Sequence, residues 1–241
     1  MNRNEINIGL LSTAKDFGLV EETLHSMGLD AATTEVTAII TAGNEEGRGK
    51  NVFADRTLAA LNAAGVTQVQ EVDVAGQDEE EVREQIASSH ADGSRSQLIV
   101  VTGGDKHYLS KQLRLSNADK VITEQVKTDG TPILTISAGT VLMGRSLEVA
   151  SDSLLTRQRG LAIVPATIVC HFNPGREERV NRDLARGRSK ARTIWGLSDE
   201  QSLVGNGEVF QVVGKGDLTV LTKLPLQTDH QKTSTRLVTL R

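Results

Sequence analysis

Short apolar runs alternate with longer amphipathic segments along much of this 241-residue chain, and this alternation constrains the fold more than any other feature. The runs that we predict as strands are residues 6–11, 36–41, 69–74, 98–102 and 133–136. Among them, Leu98-Ile99-Val100-Val101 is apolar at every position, which is typical of a parallel strand covered on both faces. The alternation therefore predicts an α/β fold with a doubly wound, mostly parallel sheet and helices on both faces.

Helix signals lie between these runs. Leu58 and Leu61 are spaced as on one helical face, and Gly65 follows them where a C-terminal cap belongs. Asp78 and Glu81 form an acidic capping pair ahead of a further amphipathic segment. Two more helices are predicted over Lys106–Leu115 and Ala118–Lys127.

Beyond residue 160 the pattern changes to short strands separated by Gly, Asn and Asp turns. The predicted strands are residues 161–164, 168–170, 202–204, 209–213 and 218–221, and a basic helix over residues 176–188 interrupts them. Such strands favour an antiparallel or mixed edge of the same sheet over a second domain. The sequence therefore predicts a single domain over residues 1–241.

Composition and charge exclude several classes of function. The net charge is -4 and aromatic residues make up 2%, which leaves neither a basic surface nor stacking platforms for nucleic acid. No apolar stretch approaches the ~18 residues that a membrane span needs. The single cysteine, Cys170, excludes an intramolecular disulfide and a cysteine-based metal cluster. We therefore expect a cytoplasmic protein that binds neither nucleic acid nor membrane and uses no metal and no cofactor.

Ser137 gives the sharpest chemical signal. It ends an apolar strand, and the small residues Ala138 and Gly139 follow it ahead of a segment that can be helical. Small residues suit a sharp turn that lifts the serine hydroxyl above the sheet at a helix N-terminus. Unpaired backbone amides there favour developing negative charge. Ser137 is thus the candidate nucleophile, and a plain strand-to-helix connection is the structural alternative.

A serine needs a neighbouring base to take its proton. Of the five histidines, His171 is the best placed, because it ends an apolar run and should face the same rim of the sheet as Ser137. A hydrogen-bonded histidine at a strand end is its structural alternative. His107, near a glycine turn, is the second candidate for the base.

The Gly103-Gly104 pair ends another predicted strand. Glycines at such a turn leave backbone amides free to face a ligand. The Gly104 amide is therefore a candidate donor of an oxyanion hole, with the Ala138 amide as the second donor. The pair lacks the spacing of a dinucleotide fingerprint or a P-loop, so no nucleotide is expected.

Five segments, taken together and in order, resemble the serine peptidase family that contains dipeptidase E and cyanophycinase. They are Thr102-Gly103-Gly104-Asp105, Ser137-Ala138-Gly139, Gly160-Leu161, His171-Phe172 and Gly196-Leu197-Ser198-Asp199-Glu200. The resemblance runs from the first predicted strand to about residue 221, which is nearly the whole chain. It implies a class I glutamine-amidotransferase-like fold, which is a three-layer α/β/α sandwich.

The resemblance also implies roles for individual residues. Ser137 would be the nucleophile, His171 the general base and Glu200 the carboxylate that orients the histidine, with Asp199 as the alternative for that carboxylate. The order serine, histidine, acid differs from that of the α/β-hydrolases, but triads are defined by geometry and not by sequence order.

The residues that we predict to bind substrate are Gly103, Asp105, Lys106, Asp152 and Arg176. Asp152 lies in a region that resembles the part of the family lining the substrate pocket, and a structural cap is its alternative role. Lys106 and the arginines at 176, 179 and 182 would bind an acidic group or a carboxyl terminus. A solvated basic helix is the alternative for the arginines.

Two departures from the family pattern bear on activity and substrate. Dipeptidase E and cyanophycinase usually have glycine two positions before the serine, where this chain has Thr135, whose side chain must find room beside the turn. Motifs similar to those of cyanophycinase would have glutamine in place of Lys106 and Asp-Gln in place of Val169-Cys170. The reaction type therefore transfers better than the substrate.

The predicted function is hydrolysis of a peptide or isopeptide bond in a small, Asp-containing or cyanophycin-like substrate through an acyl-enzyme. Family members include monomers and dimers, so a homodimer is one expectation for the assembly. A catalytically inactive binding or regulatory protein of the same fold is the first alternative. A glutamine amidotransferase is the second, but it normally needs cysteine where this chain has Ser137.

Overall fold

Strands and helices alternate through the first half of the chain, as the sequence predicts. The computed structural model describes residues 6–44, 51–87, 98–149, 159–186, 191–223 and 235–240. The first strands are β1 (Ile8–Leu11), β2 (Glu35–Ile39), β3 (Gln68–Val72), β4 (Leu98–Val101) and β5 (Ile133–Ile136). The helices with them are α1 (Phe17–Ser26), α2 (Val52–Ala63), α3 (Glu79–Ala87), α4 (Lys106–Leu115), α5 (Ala118–Lys127) and α6 (Ala138–Met143).

Side-chain caps fix where many of these helices begin. In four helices the capping side chain accepts a hydrogen bond from an amide of the first turn: Asp16, Asn51, Asp105 and Asn173. Ahead of α3, Asp78 accepts from the Glu81 amide and Glu81 accepts from the Asp78 amide. This reciprocal pair confirms the predicted capping box.

The central sheet contains seven strands of the described chain, in the order β3-β2-β4-β5-β1-β8-β9, where β8 is Gln201–Gly205 and β9 is Phe210–Gly214. The first five strands in this order are parallel to their neighbours, and β8 and β9 add an antiparallel edge. The predicted mostly parallel sheet with a mixed C-terminal edge is therefore confirmed.

Helices cover both faces of this sheet. In β4, Ile99 and Val101 pack into the hydrophobic cluster that contains side chains of α3, α4, α5 and α6. Leu98 and Val100 pack on the opposite face into the cluster with α1 and α2. The continuous apolar run of β4 thus reflects burial on two faces, and the three-layer α/β/α sandwich is confirmed. None of the helices that the structure describes is long and apolar enough to cross a membrane.

Four of the later strands do not join the central sheet. They are β6 (Thr167–Val169), β7 (Thr193–Gly196), β10 (Leu218–Lys223) and β11 (Thr235–Leu240), and they form a second sheet in the order β11-β10-β7-β6. Helix α7 (Pro174–Ala185) connects β6 to the parallel strand β7. This second sheet corrects the expectation that all the C-terminal strands extend one sheet.

The second sheet is separate because it has two apolar faces of its own to cover. Trp195 of β7 packs into the large cluster that it shares with the central sheet. Its neighbour Ile194 packs with Val180 and Leu184 of α7 in a third cluster. Successive strand residues point to opposite faces, so this arrangement buries both sides of β7.

The predicted strand over residues 161–164 is wrong. This segment is a loop that covers the end of α6: the Leu161 amide donates to the Leu142 carbonyl at 2.8 Å, and the Ile163 amide donates to the Met143 carbonyl at 3.0 Å. These carbonyls lie in the last turn of α6 and have no partner within the helix. The apolar pattern of the loop therefore reflects burial under the sandwich and not strand pairing.

Candidate active site

The candidate site lies at the carboxyl edge of the central sheet, where β4, β5 and β1 are neighbours. Ser12 directly follows β1, Ser137 directly follows β5, and Gly103 lies two residues after β4. Ligands of open α/β sheets bind outside the carboxyl ends of the strands. His171 reaches the same edge from the second sheet, two residues after β6.

A strained backbone turn presents Ser137. The residue has φ 52° and ψ -104°, which places it in a region that residues with a side chain rarely adopt. The neighbouring residue Gly139 must be small, because a Cβ there would lie 2.5 Å from the Val101 carbonyl oxygen. The Ser137 amide donates to the Leu11 carbonyl at 3.0 Å, which ties the turn to β1.

Thr135, the departure from the family glycine, fits beside this turn. Its side chain is fully buried, and its Oγ1 lies 3.3 Å from the Gly9 carbonyl and 3.0 Å from Thr140 Oγ1. Thr140 in turn donates to the Leu11 carbonyl at 2.7 Å. Because the Thr140 proton goes to Leu11, the Thr135 hydroxyl shares its own proton between the Gly9 carbonyl and Thr140 Oγ1. Thr135 is thus accommodated beside the Ser137 turn.

His171 meets Ser137 at hydrogen-bonding distance. The Ser137 Oγ lies 3.2 Å from His171 Nε2, within the range over which a general base can take a proton. The histidine backbone also adopts positive φ, at 54°. Its amide donates to Ser12 Oγ at 2.7 Å, and its carbonyl accepts from Asn173 Nδ2 at 3.2 Å. Both sides of the residue are therefore held.

The carboxylate against His171 belongs to Asp199. The distance from His171 Nδ1 to Asp199 Oδ1 is 2.6 Å, whereas Glu200 is exposed and its amide donates to Ser198 Oγ at 3.4 Å. The expectation of Glu200 at this place is corrected in favour of the alternative, Asp199. Asp199 and Glu200 lie in the turn between β7 and β8, and this turn directs the Asp199 side chain towards His171 and leaves Glu200 in solvent.

Ser12 holds this carboxylate from the other side. Its hydroxyl donates to Asp199 Oδ1 at 2.7 Å while its oxygen accepts the His171 amide at 2.7 Å, and the residue is fully buried. The sequence analysis missed Ser12. The available signal was its position as a polar residue directly after an apolar strand. That position points to the site only once β1 is known to pair with β5, which ends at Ser137.

The environment of Asp199 favours its ionised form. Desolvation by partial burial works against ionisation, but the hydrogen bonds from Ser12 and His171 and the charges of His171 and Lys15 favour it. The balance lowers the pKa of Asp199 below its ordinary value. An ionised carboxylate at Nδ1 fixes the tautomer of His171 that leaves Nε2 free to accept a proton.

Two backbone amides lie beside the serine. Gly104 has φ 142°, and a Cβ there would lie 2.1 Å from the Ala42 carbonyl oxygen, so only glycine fits. Its amide donates to no other residue in the described part of the chain. Ala138 is the first residue of α6, where an amide has no helical partner. Gly104, Ala138 and Ser137 line the same cavity.

The comparison with known protein families decides the class of this protein. The model of peptidase family S51 matches residues 9–213. The chain belongs to peptidase family S51. It is therefore a peptidase, and the family supports the serine type. No curated protein matches the chain.

Two solved structures share the fold of this S51 peptidase. A peptidase E-like protein from Listeria monocytogenes EGD-e is 21% identical with a TM-score of 0.68, and the match covers 88% of this chain and 99% of that one. A peptidase from an acI-B1 Actinobacterium is 17% identical with a TM-score of 0.68, and 99% of each chain is covered. At this identity the similarity concerns the fold.

A large cavity of the peptidase, about 600 Å³ in volume, extends from Ser137 between α4 and α7. Its lining contains three basic side chains, Lys106, Arg176 and Arg179, and three carboxylates, Asp105, Glu148 and Asp183. The Lys106 Nζ donates to the Leu147 carbonyl at 2.7 Å, and the Arg176 Nη1 donates to the Cys170 carbonyl at 2.9 Å. Burial is the main cause that lowers the pKa of Lys106, and the charge of Arg176 adds to it.

The other residues predicted to act in catalysis or binding contact neighbouring protein groups. The Asp105 carboxylate accepts hydrogen bonds from two amides of α4, at 2.8 and 2.7 Å, and so acts as the helix cap. His107, the second candidate for the base, lies 3.2 Å from Glu148. Arg182 pairs with Glu178. Asp152 lies outside the described residues.

Gly103 lines a second, smaller cavity of this S51 peptidase, which also reaches Ser137 and His171. A Cβ at Gly103 would lie 3.3 Å from the Ser137 Cβ, so a larger residue there would crowd the nucleophile. Across the part of the chain that the structure describes, no group of three or more His, Cys, Asp and Glu side chains is arranged to hold a metal ion.

Proposed function

We propose that this S51 peptidase hydrolyses a peptide or isopeptide bond in a small substrate, using Ser137, His171 and Asp199 as its catalytic triad. The observation that carries the proposal is a continuous chain of hydrogen bonds. It runs from Ser137 Oγ to His171 Nε2 at 3.2 Å and from His171 Nδ1 to Asp199 Oδ1 at 2.6 Å. This is the order of nucleophile, base and orienting acid that activates a serine.

The reaction proceeds through an acyl-enzyme. His171 Nε2 takes the proton of the Ser137 hydroxyl as its oxygen attacks the scissile carbonyl. The amides of Gly104 and Ala138 stabilise the oxyanion, and each such donor typically lowers the barrier by ~3–4 kcal/mol. His171 then protonates the departing amine, which leaves the acyl group on Ser137. Water, deprotonated by the same nitrogen, releases the acid and restores the serine.

The basic side chains of the large cavity support an acidic group on the acyl half of the substrate. Lys106 and Arg176 line the cavity next to Gly104 and Ser137, and Arg179 follows Arg176 by three residues on the same face of α7. A carboxylate bound there would receive charge-assisted hydrogen bonds. Aspartate, linked through either of its carboxyl groups, is the residue that we propose for this position.

Two alternatives from the sequence are disfavoured. An inactive binding protein has no need of an intact chain from Ser137 to Asp199, and the family assignment identifies a peptidase. An amidotransferase normally has a cysteine nucleophile at this position, where this chain has Ser137. The single domain over residues 1–241, the cytoplasmic location, the homodimer and a cyanophycin-like substrate stay predictions.

A fluorophosphonate probe and a panel of dipeptides test the proposal together. The probe should modify the wild-type protein at Ser137, and Ser137→Ala should abolish both labelling and hydrolysis. The panel should contain α- and β-linked Asp–Xaa bonds and Xaa–Arg bonds, and hydrolysis should be confined to bonds that follow aspartate. Ser146→Ala, an exchange at a serine outside the turn, is the matched control. Absence of labelling in the wild type would contradict the triad, and cleavage of Xaa–Arg bonds alone would contradict the acidic acyl site.

A further inference from the structure

A second cavity begins at the same serine and is bordered by other elements. This small cavity is lined by the loop after β1, by α2 and by Gly103, whereas the large cavity is lined mainly by α4 and α7. Ser137, His171 and Phe53 line both. The reactive pair thus lies at the boundary between two spaces, and a substrate with its scissile bond at Ser137 extends one half into each.

The charges of the small cavity differ from those of the large one. Its cationic lining residues are Lys15 and Arg56, and both are exposed. Neither forms an ion pair or hydrogen bond through its side chain with another residue in the ranges that the structure describes. The large cavity, in contrast, also carries the acidic residues Asp105, Glu148 and Asp183. Two cations with no acidic residue among the lining side chains favour the binding of an anion.

The volume of the small cavity limits what it can hold. It is about 160 Å³, which corresponds to roughly five water molecules at ~30 Å³ each. A single amino-acid residue fills such a space, whereas the further residues of a longer peptide would have to extend out of the cavity. A single-residue leaving group carries a free α-carboxylate one residue beyond the scissile bond, and a longer peptide places an uncharged amide there.

We propose that the small cavity is the leaving-group subsite, in which Arg56 and Lys15 bind the α-carboxylate of a single released amino acid. The assignment rests on the proposed function, which puts the acyl half in the large cavity beside Gly104 and Ala138. Arg56 presents a planar fork that matches a carboxylate, and Lys15 adds a point charge. Phe53, which is 46% exposed, lies between the two halves and covers the scissile bond with an apolar surface.

The test compares one scissile bond with and without the leaving-group charge. The substrates are the dipeptide of the panel that is cleaved fastest and the same dipeptide with its carboxyl terminus amidated. The wild-type enzyme should prefer the free acid in kcat/KM by roughly tenfold, as expected for one charge-assisted pair. Arg56→Met should remove most of this preference, mainly through KM, and its effect on the amide should be smaller.

Charge exchange and a control variant sharpen the test. Arg56→Glu should reverse the preference, so that the amide becomes the better substrate. Lys15→Met should give a smaller loss, although Lys15 also acts on Asp199 through its charge, which makes Arg56 the clearer probe. Arg83→Met removes an exposed arginine from α3, away from both cavities, and should keep the wild-type preference.

Labelling by the fluorophosphonate separates this proposal from the one on which it rests. A wild-type protein that is not labelled contradicts the proposed function. A labelled protein that cleaves no dipeptide contradicts the proposed aspartyl acyl site as well as the subsite, and one that cleaves acid and amide equally well contradicts the subsite alone. The subsite is also wrong if the variant Arg56→Met, still labelled by the probe, keeps the full preference for the acid.

Discussion

The two halves of the candidate site are held in different ways. On the central sheet, the backbone itself fixes Ser137, through a strained turn between β5 and α6 with Gly139 packed against Val101. On the second sheet, His171 and Asp199 lie on loops that follow β6 and β7, and the Phe172 amide pairs with the Leu197 carbonyl at 2.9 Å. Ser12 joins the halves, because it directly follows β1 of the central sheet and forms hydrogen bonds with both loop residues.

This difference shows that the nucleophile and the base are positioned by different kinds of interaction. The nucleophile depends on local backbone geometry, which changes little when a neighbouring side chain loses a hydrogen bond. The base and its carboxylate depend on side-chain hydrogen bonds between residues distant in sequence, such as Ser12 and Asp199. We therefore expect single polar exchanges to affect the rate on the second-sheet side and mainly the stability on the central-sheet side.

The largest effect is expected at His171. His171→Ala removes the base and should lower kcat by roughly 10⁶-fold, as for other serine peptidases that lose their histidine. His107→Ala is the matched control, because His107 lies against Glu148 and not against the serine. It should change KM more than kcat. The dipeptide assay measures both constants, and equal losses of kcat in the two variants would contradict the assignment of the base.

The next effect separates two adjacent carboxylates. Asp199→Asn keeps the shape of the side chain but stabilises the wrong tautomer of His171, so kcat should fall by roughly 10⁴-fold. Glu200→Gln should leave kcat within a few-fold of the wild type, because Glu200 is exposed. The two variants carry the same change of charge, so a loss confined to Glu200→Gln would reverse the assignment of the acid.

A third, smaller effect is expected at the residue that joins the two halves. Ser12→Ala removes a hydrogen bond to the charged Asp199, which should lower kcat by roughly ten- to a hundredfold with little change in KM. The same exchange should raise the pKa of Asp199 towards its ordinary value, measured by NMR titration of the carboxyl carbon. A kcat loss with an unmoved pKa would mean that Ser12 acts only on the His171 backbone.

The sign of the accompanying change in stability follows from the direction of the shift. The pKa of Asp199 is lower in the folded than in the unfolded chain, so its ionised form stabilises the fold above the ordinary aspartate pKa of ~3.9. This contribution is lost as the pH falls through the lowered value. Ser12→Ala should therefore narrow the difference in unfolding free energy between neutral and acidic pH.

The same division explains how much the sequence could predict. The strands of the central sheet and the turn at Ser137 follow from local patterns, namely apolar runs, capping residues and small residues after a strand. The choice between Asp199 and Glu200 has no local signal, because it depends on which of two neighbours faces a loop from another strand. Ser12 becomes visible only once β1 is known to lie beside β5.

The second sheet was the least predictable part of the fold for the same physical reason. The sequence pattern does not predict strands β7 and β11, and it predicts β6 and β10 as part of the central sheet. Short strands with mixed turns carry no signal for which sheet they join. That choice depends on long-range burial, here of Trp195 on one face and Ile194 on the other.

The smallest expected effect lies on the central-sheet side and completes the contrast with Ser12. Thr135→Val keeps the size of a fully buried side chain but removes its hydroxyl, which bonds the Gly9 carbonyl and Thr140. The free energy of unfolding in urea should fall by about 1–2 kcal/mol, the usual cost of such a loss. The kcat should stay within about twofold of the wild type, because the Ser137 turn is fixed by its backbone and by Gly139. A large loss of kcat at unchanged stability would show that side-chain hydrogen bonds position the nucleophile as well, and the two halves of the site would then be held alike.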